Sequence, residues 1–512
     1  MQVVGSRITP CPRKEGEPVN LEIVHIENTQ SFEWAGRWWL PADQARYYGT
    51  LRYTPEEGLH LELIDGAFGP GFEREHNVKS YFAPETRVTA IKIADDAPDT
   101  IWGISGTTKI TLFDSTDVHK SMRGPSSEEK AYSSVYRSSY AAIGSHINSS
   151  EDPVIASSIV SIEYLAGILQ QPALLKVTAE GYRVGDSYDW TRTRETTELD
   201  FAQNIQPVVG VQVNGIGAIS LSRSWKGPSL VTLPSGLVSK SVENAHLKAH
   251  FAEPTSLAAT ISHLENLALF VSFLSAGRRD LTGARIELHE VPKESIAILL
   301  PRRMPIGRVN EDSNFEPFFS LSNAEFIKIV PWVIKFVDNH YRLVNLTVEL
   351  WDDLRGFIET EILLSSILLE AFHKDIYGGR KSGLTDEARK LLKQYFDDPV
   401  TRTELTFKQM AVNCYSQLPT SIREKLVPDL RQWANSLTNV RNNIAHEALL
   451  SEGQTETARA AGRVALAITT VLIFMNIGIA EAKIDYVVDR HEKFRRIKRD
   501  SRRYLINKPG VD

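Results

Sequence analysis

Two periodicities divide the chain. Up to about residue 315, apolar and polar residues alternate in short runs bounded by turn residues; from about 316 onward, apolar residues recur every three or four positions. In the first part, residues 21–26, 47–53, 59–64, 88–93, 101–104, 109–113, 160–165 and 208–213 read as strands. The segment Thr54-Pro55-Glu56-Glu57-Gly58 reads as a hairpin-type connection between two of them. Stretches 113–144 and 182–201, rich in Ser, Thr, Tyr and charge, read as strands with long loops. After Pro254 the pattern switches briefly: 256–276 is apolar at helical spacing and stops at Gly277, followed by a β pair at 284–288 and 296–300.

Prolines and polar residues at 301–317 read as a linker. Beyond it, helices are expected at 323–340, 350–376, 385–396, 403–417, 421–447 (broken near Pro428) and 455–488. The pattern predicts an α+β chain of several domains. A β-rich, sandwich- or barrel-like domain fills 1–315, an all-α antiparallel bundle fills 316–487, and a basic tail fills 488–512.

Composition narrows the chemistry. The 512 residues carry a formal net charge of −6, so any nucleic-acid surface must be local. Two cysteines, Cys11 and Cys414, far apart in sequence, exclude a disulfide framework and give no zinc spacing. The N-terminus lacks a charged-then-apolar secretory pattern, which makes the cytoplasm the expected compartment. Residues 464–480 hold no charge, but at that length, with Thr469, Thr470 and Asn476 inside, they fit a buried bundle helix better than a membrane span. No P-loop, zinc-protease helix, dinucleotide-binding glycine pattern or nucleophile elbow occurs, and no carboxylate pair supports a carbohydrate-directed enzyme.

The most informative stretch is 433–447. Trp433, Leu437, Val440, Ile444 and Ala448 form a buried-type stripe, and Asn435, Asn439, Asn442 and His446 form a second stripe on the opposite face. Three amides and an imidazole without a Lys or Glu among them do not read as an ordinary solvated face. Arg441 and His446 stand five positions apart, with Asn442 directly after the arginine. At ~100° per residue, the two heads diverge by roughly 140° on a straight helix. A local widening of the helix would bring them together, or a second copy of the helix would supply the missing partner across a two-fold interface.

The spacing Arg441-Asn442-x-x-x-His446 resembles the signature of the HEPN superfamily, whose catalytic members are metal-independent ribonucleases. A second resemblance lies at the other end. Gly36-Arg37-Trp38-Trp39-Leu40-Pro41, then Gly49-Thr50-Leu51, then Gly58-Leu59-His60-Leu61-Glu62-Leu63 look like the opening of the ApeA-type N-terminal domain, which is found fused to HEPN modules in bacterial anti-phage abortive-infection proteins. The resemblance implies an endoribonuclease without cofactor or metal, acting on RNA at a homodimeric or higher-order cleft, with the N-terminal domain answering a phage protein. Arg441 would bind phosphate, His446 would act as acid or base, and Asn442 would orient the imidazole or bind phosphate.

The string 359–373 resembles the first long helix of ApeA-type HEPN domains, with Glu361 where arginine is more usual. Leu350, Leu354, Phe357, Leu364, Leu368 and Phe372 share one face of the expected helix, and Glu361 falls inside that stripe, where a carboxylate needs a partner. Glu361 is therefore a candidate to neutralise Arg441 or orient His446, and Glu359 and Asn439 are supporting candidates. Residues 490–503 hold eight Lys and Arg, and Arg495, Arg496, Lys498 and Arg499 are candidate RNA contacts on a phosphate-tracking arm or a frayed, solvated helix. Arg278, Arg279, Arg302 and Arg303 read as solvated doublets. The competing reading is a non-catalytic HEPN adaptor whose polar face is an assembly interface.

Overall fold

The computed structural model of the chain describes residues 26–64, 66–68, 77–78, 88–89, 98–123, 131–168, 174–178, 183–184, 187–188, 198–201, 209–213, 215–233, 236–291, 295–300, 316–352, 357–398, 400–447 and 453–506. The alternating runs of the first part become strands, and 14 of them join one antiparallel sheet. Phe32–Trp39 pairs with Tyr47–Thr54, which pairs with Gly58–Ile64 through the expected turn, where Gly58 takes φ of +82°. Along the middle strand Leu51 and Tyr53 point into the core and Arg52 points out, as a period of two requires. Glycine is obligatory at Gly36, where a Cβ would lie 2.2 Å from the Ile104 carbonyl oxygen of the neighbouring strand Thr100–Ser105.

The sheet curls on itself. Trp38, Leu51, Leu61, Ile110 and Leu299 share one buried cluster although their strands are spread along the sheet order. The Tyr53 hydroxyl, 2.8 Å from the Asn28 carbonyl and 3.0 Å from the Leu300 carbonyl, bridges across that curl. The longest hairpin, Gly217–Leu233 with Gly236–Thr255, was not expected from the sequence; its register shifts between Lys226 and Ser229, where Gly227-Pro228 cannot keep the ladder. The strand expected at 160–165 is Ile155–Ile162 and ends before Tyr164, which has φ of +58°. The expected strands at 21–25 and 90–93, and most of 182–197, lie outside the described residues.

Ten helices follow among the described residues: α1 Leu257–Leu274, α2 Asn323–Trp351, α3 Ile358–Tyr377, α4 Asp386–Phe396, α5 Phe407–Gln417, α6 Thr420–Leu426, α7 Leu430–Glu447, α8 Thr455–Asn476, α9 Glu481–Arg490 and α10 Glu492–Tyr504. Their starts carry the expected caps. Ser322 and Glu325 form a capping box on α2, and Thr406 and Gln409 form one on α5. Three boundaries differ from expectation. Helix α2 bends at His340 but continues to Trp351, because Leu343, Val344, Thr347, Val348 and Leu350 extend its buried stripe. Helix α3 therefore starts at Ile358, and Phe357 is its 82% exposed N-cap rather than a core position. Gly478, with φ of +82°, divides the expected 455–488 helix into α8 and α9.

The basic C-terminal stretch is neither frayed nor a free arm over 492–504. It is α10, with Phe494, Ile497 and Leu505 buried and Phe494 against Phe318 and Trp351. One apolar core runs from α1 into the bundle, so the β-rich part and the helices share it. The shared seam is also polar. Arg278 forms an ion pair with Glu349 on α2, and Arg279 stacks on Tyr164 at 4.6 Å, which removes both from the solvated surface expected for them. Arg302 and Arg303 lie outside the described residues. The Lys493 ammonium of α10 donates to the Ala276 carbonyl after α1 at 2.8 Å and to the Trp351 carbonyl at the end of α2.

Helices α1 and α8 are long and apolar enough to cross a membrane by length and hydropathy alone. Here 72% and 89% of their apolar windows are buried in the fold, with α8 at the centre of the bundle.

Candidate active site

Helix α7 opens beside Asp429, whose carboxylate accepts from the Gln432 amide at 2.9 Å. Its apolar stripe behaves as the spacing predicts: Trp433, Leu437, Val440 and Ile444 are buried. The Trp433 indole donates to the Ala461 carbonyl at 3.1 Å and pins α7 to α8. Val440 and Ile444 pack with Ile362 of α3 and Ala458 of α8 in a small separate cluster. Ala448 lies outside the described residues. The opposite stripe faces water: Asn439, Asn442 and His446 are exposed and Asn435 is half-buried.

Arg441 stands at the edge between the two stripes. One guanidinium nitrogen, Nη2, donates to Glu370 Oε2 on α3 at 3.0 Å; Nη1 donates to Asn442 Oδ1 at 3.4 Å; and the plane lies over the Phe407 ring of α5 at 5.2 Å. A guanidinium has five N–H donors, so this cradle fixes its direction while leaving donors for a ligand. Glu370 is shared: Lys374, one turn on, donates to its other oxygen at 2.7 Å. His446 makes no hydrogen bond or ion pair with another described residue. Helix α7 is an unbroken α-helix from Leu430 to Glu447, so no widening brings Arg441 and His446 to one face.

Glu361 does not reach this cradle. It accepts from Arg463 Nε on α8 at 2.8 Å and lies 3.6 Å from Arg459 Nε, with 18% of its side chain exposed. The reason is helical phase. Nine residues separate Glu361 from Glu370, roughly half a turn out of register, so one faces α8 and the other faces α7. Glu370 was missed by sequence reasoning because its pairing with Arg441, 71 positions away, exists only after α3 and α7 pack. The one local signal was its spacing of four from Lys374. Glu359 is half-buried in the first turn of α3 and has no ion-pair partner among the described residues.

On α10, Arg495, Arg496 and Arg499 are exposed around an open depression of about 660 Å³, together with Arg490, Glu316 and Glu492. Lys498 is turned away from that role. It pairs with Asp489 at 2.9 Å, and the hydrogen bonds from Lys425 and Lys498 hold that carboxyl below its ordinary range.

Behind the cradle, α3 also carries a sealed polar pair. His373 is fully buried and accepts at Nε2 from Asn413 at 2.9 Å, and burial lowers its pKa to about 4. Among the described residues, no three His, Cys, Asp or Glu side chains gather into a set able to hold a metal ion.

Comparison with known families places these elements. A family model for ApeA N-terminal domain 1 matches residues 33–332, more than half of the chain, and one for Apea-like HEPN matches residues 363–483. The second span contains most of α3, all of α4 to α8, and the Arg441 cradle. No curated protein and no solved structure matches the chain.

Proposed function

Because the chain belongs to the ApeA family, joining an ApeA N-terminal domain to an Apea-like HEPN domain, we propose that it is an endoribonuclease effector of bacterial anti-phage defence. The observation that carries the reading is the arrangement on α7. An arginine is held in a fixed direction by Glu370 and Phe407 at the margin of an exposed row of amides that ends in an uncommitted histidine.

RNA brings its own nucleophile. The 2′-hydroxyl loses its proton to an imidazole and attacks the adjacent phosphorus. The P–O5′ bond breaks, and the 5′-oxygen leaves with a proton from an acid. His446 supplies the imidazole, Arg441 stabilises the charge that builds on the phosphate oxygens, and Asn442 binds phosphate beside it. One imidazole does not serve both ends of a concerted step. The straight course of α7 also keeps Arg441 and His446 of one chain apart. Two copies of the chain therefore meet over this face, each contributing His446 to a shared cleft. Arg495, Arg496 and Arg499 on α10 extend the phosphate-binding surface. The N-terminal domain answers a phage protein, and the seam through Arg278–Glu349 and Lys493 gives such a signal a mechanical route into the bundle.

The chemistry is tested by its products. In EDTA, cleavage should leave 2′,3′-cyclic phosphate and 5′-hydroxyl ends, and a substrate with a single 2′-deoxy sugar at the scissile position should stay intact there. Cleavage of the deoxy position, or 5′-phosphate ends, would contradict attack by the 2′-hydroxyl.

A further inference from the structure

Helix α2 presents a surface that the reading above does not use. Lys328, Trp332, Lys335 and Asn339 follow one another at steps of four, three and four, which is one stripe of a helix, and Arg342 continues it past the bend at His340. All five are exposed, Trp332 at 59% of its full residue surface. Exposed Ile327 and half-buried Pro331 lie beside it. Lys328, Lys335 and Arg342 make no ion pair with any described residue. The acids nearest the stripe are engaged elsewhere: Asp338 with Asn266 of α1, Asp375 with His340, and Glu325 with Lys483.

We infer that this face of α2 is a binding track for single-stranded RNA, a proposal that rests on the ribonuclease reading and supplies its substrate path. An indole face stacks on any base, and cations at about 10 Å along the helix axis flank it on both sides to meet the phosphates. Three cations on the stripe against one exposed carboxylate at its edge, Asp338, set the charge of the occupant, and the flat ring sets its shape.

The bend of α2 lies against the last turn of the helix that carries the cradle's acid. His340 lies 3.5 Å from Asp375 in the last turn of α3. The neighbouring Lys374, 55% exposed at its side chain, donates to Glu370, which holds Arg441. The middle of α2 therefore packs against the end of α3 that carries Lys374 and Glu370.

The test is equilibrium binding of a short fluorescein-labelled single-stranded RNA to the full chain, in a His446→Ala background that leaves the strand uncut, over a series of salt concentrations. Trp332→Ala should weaken binding about tenfold without changing the salt slope, and Trp332→Tyr should restore most of it. Lys328→Ala with Lys335→Ala should flatten the slope of log affinity against log salt by about 1.4, two phosphate contacts' worth.

If the background chain binds RNA and these variants bind equally well, the track is wrong while the ribonuclease reading stands. If the background chain binds no RNA at all, both fall. Unchanged RNA binding, together with loss of phage-dependent cleavage in Trp332→Ala, would assign the face to a protein partner instead. The double lysine variant and the tyrosine variant keep the test decisive should Trp332→Ala fold poorly.

Discussion

Helix α3 carries two acid–base pairs of the same chemistry in opposite surroundings. Toward its start, Glu361 meets Arg463 and Arg459 of α8 between packed helices, where Gly462 brings a would-be Cβ to 3.2 Å from the Ile362 Cα. Only 10% of the Arg463 side chain is exposed. Toward its end, Glu370 meets Arg441 of α7 with 32% of the arginine exposed, an aromatic ring behind it and a row of amides beside it. The first pair consumes its charges in holding α3 to α8. The second orients a cation and leaves it open to a ligand. A buried pair contributes to the fold chiefly by not being broken, whereas a half-open one can be spent on function.

Exchange of function for stability between these two places gives the sharpest predictions. His446→Ala and Arg441→Ala should each lower RNA cleavage by about a hundredfold or more while leaving the melting temperature unchanged, since both side chains face solvent or a half-open cradle. Glu361→Gln should do the reverse. Denaturant titration should show a loss on the order of 3 kcal/mol, with cleavage per folded molecule intact, because two arginines lose their carboxylate inside the bundle.

A third prediction concerns the sealed side of α3. His373 is neutral in the fold down to about pH 4, whereas an unfolded histidine takes up a proton near 6.5. The unfolded state therefore binds the extra proton between those values. Its contribution to stability is full above about pH 6.5, falls by up to about 1.4 kcal/mol per pH unit below it, and levels off under pH 4. Urea titrations at successive pH values should trace that slope. The smallest effect is expected at the cradle's own acid: Glu370→Gln should lower cleavage about tenfold through loss of the arginine's orientation, with little change in melting temperature.

The same contrast explains what could be read from the chain. The stripes of α7 were legible because burial and exposure follow helical phase, and Trp433, Leu437, Val440 and Ile444 fall where their spacing puts them. The Gly36–Pro41 run was legible only as a family resemblance, and the structure adds one physical reason for its glycine: close strand approach leaves no room for a Cβ at Gly36. Glu361 and Glu370 were not separable in advance. Both are acids on one helix, and which of them faces α7 depends on how α3 sits between two neighbours. The hairpin from Gly217 to Thr255 escaped notice because polar residues break the apolar alternation in both strands and each strand contains a proline, Pro228 in one and Pro254 in the other. Residues 490–503 looked like a tail because their charge masks the few apolar positions, Phe494 and Ile497 among them, that dock α10.

The central claim is that the open face of α7 cleaves RNA with its histidine. The measurement that tests it most directly is cleavage in EDTA by wild type and folded His446→Ala side by side, with and without lysate from phage-infected cells. The account predicts cleavage by wild type alone, strengthened by the infected lysate. Equal cleavage by both proteins, or wild-type cleavage that EDTA abolishes, would contradict it. Silence from both under every condition would assign the amide row to assembly instead of catalysis.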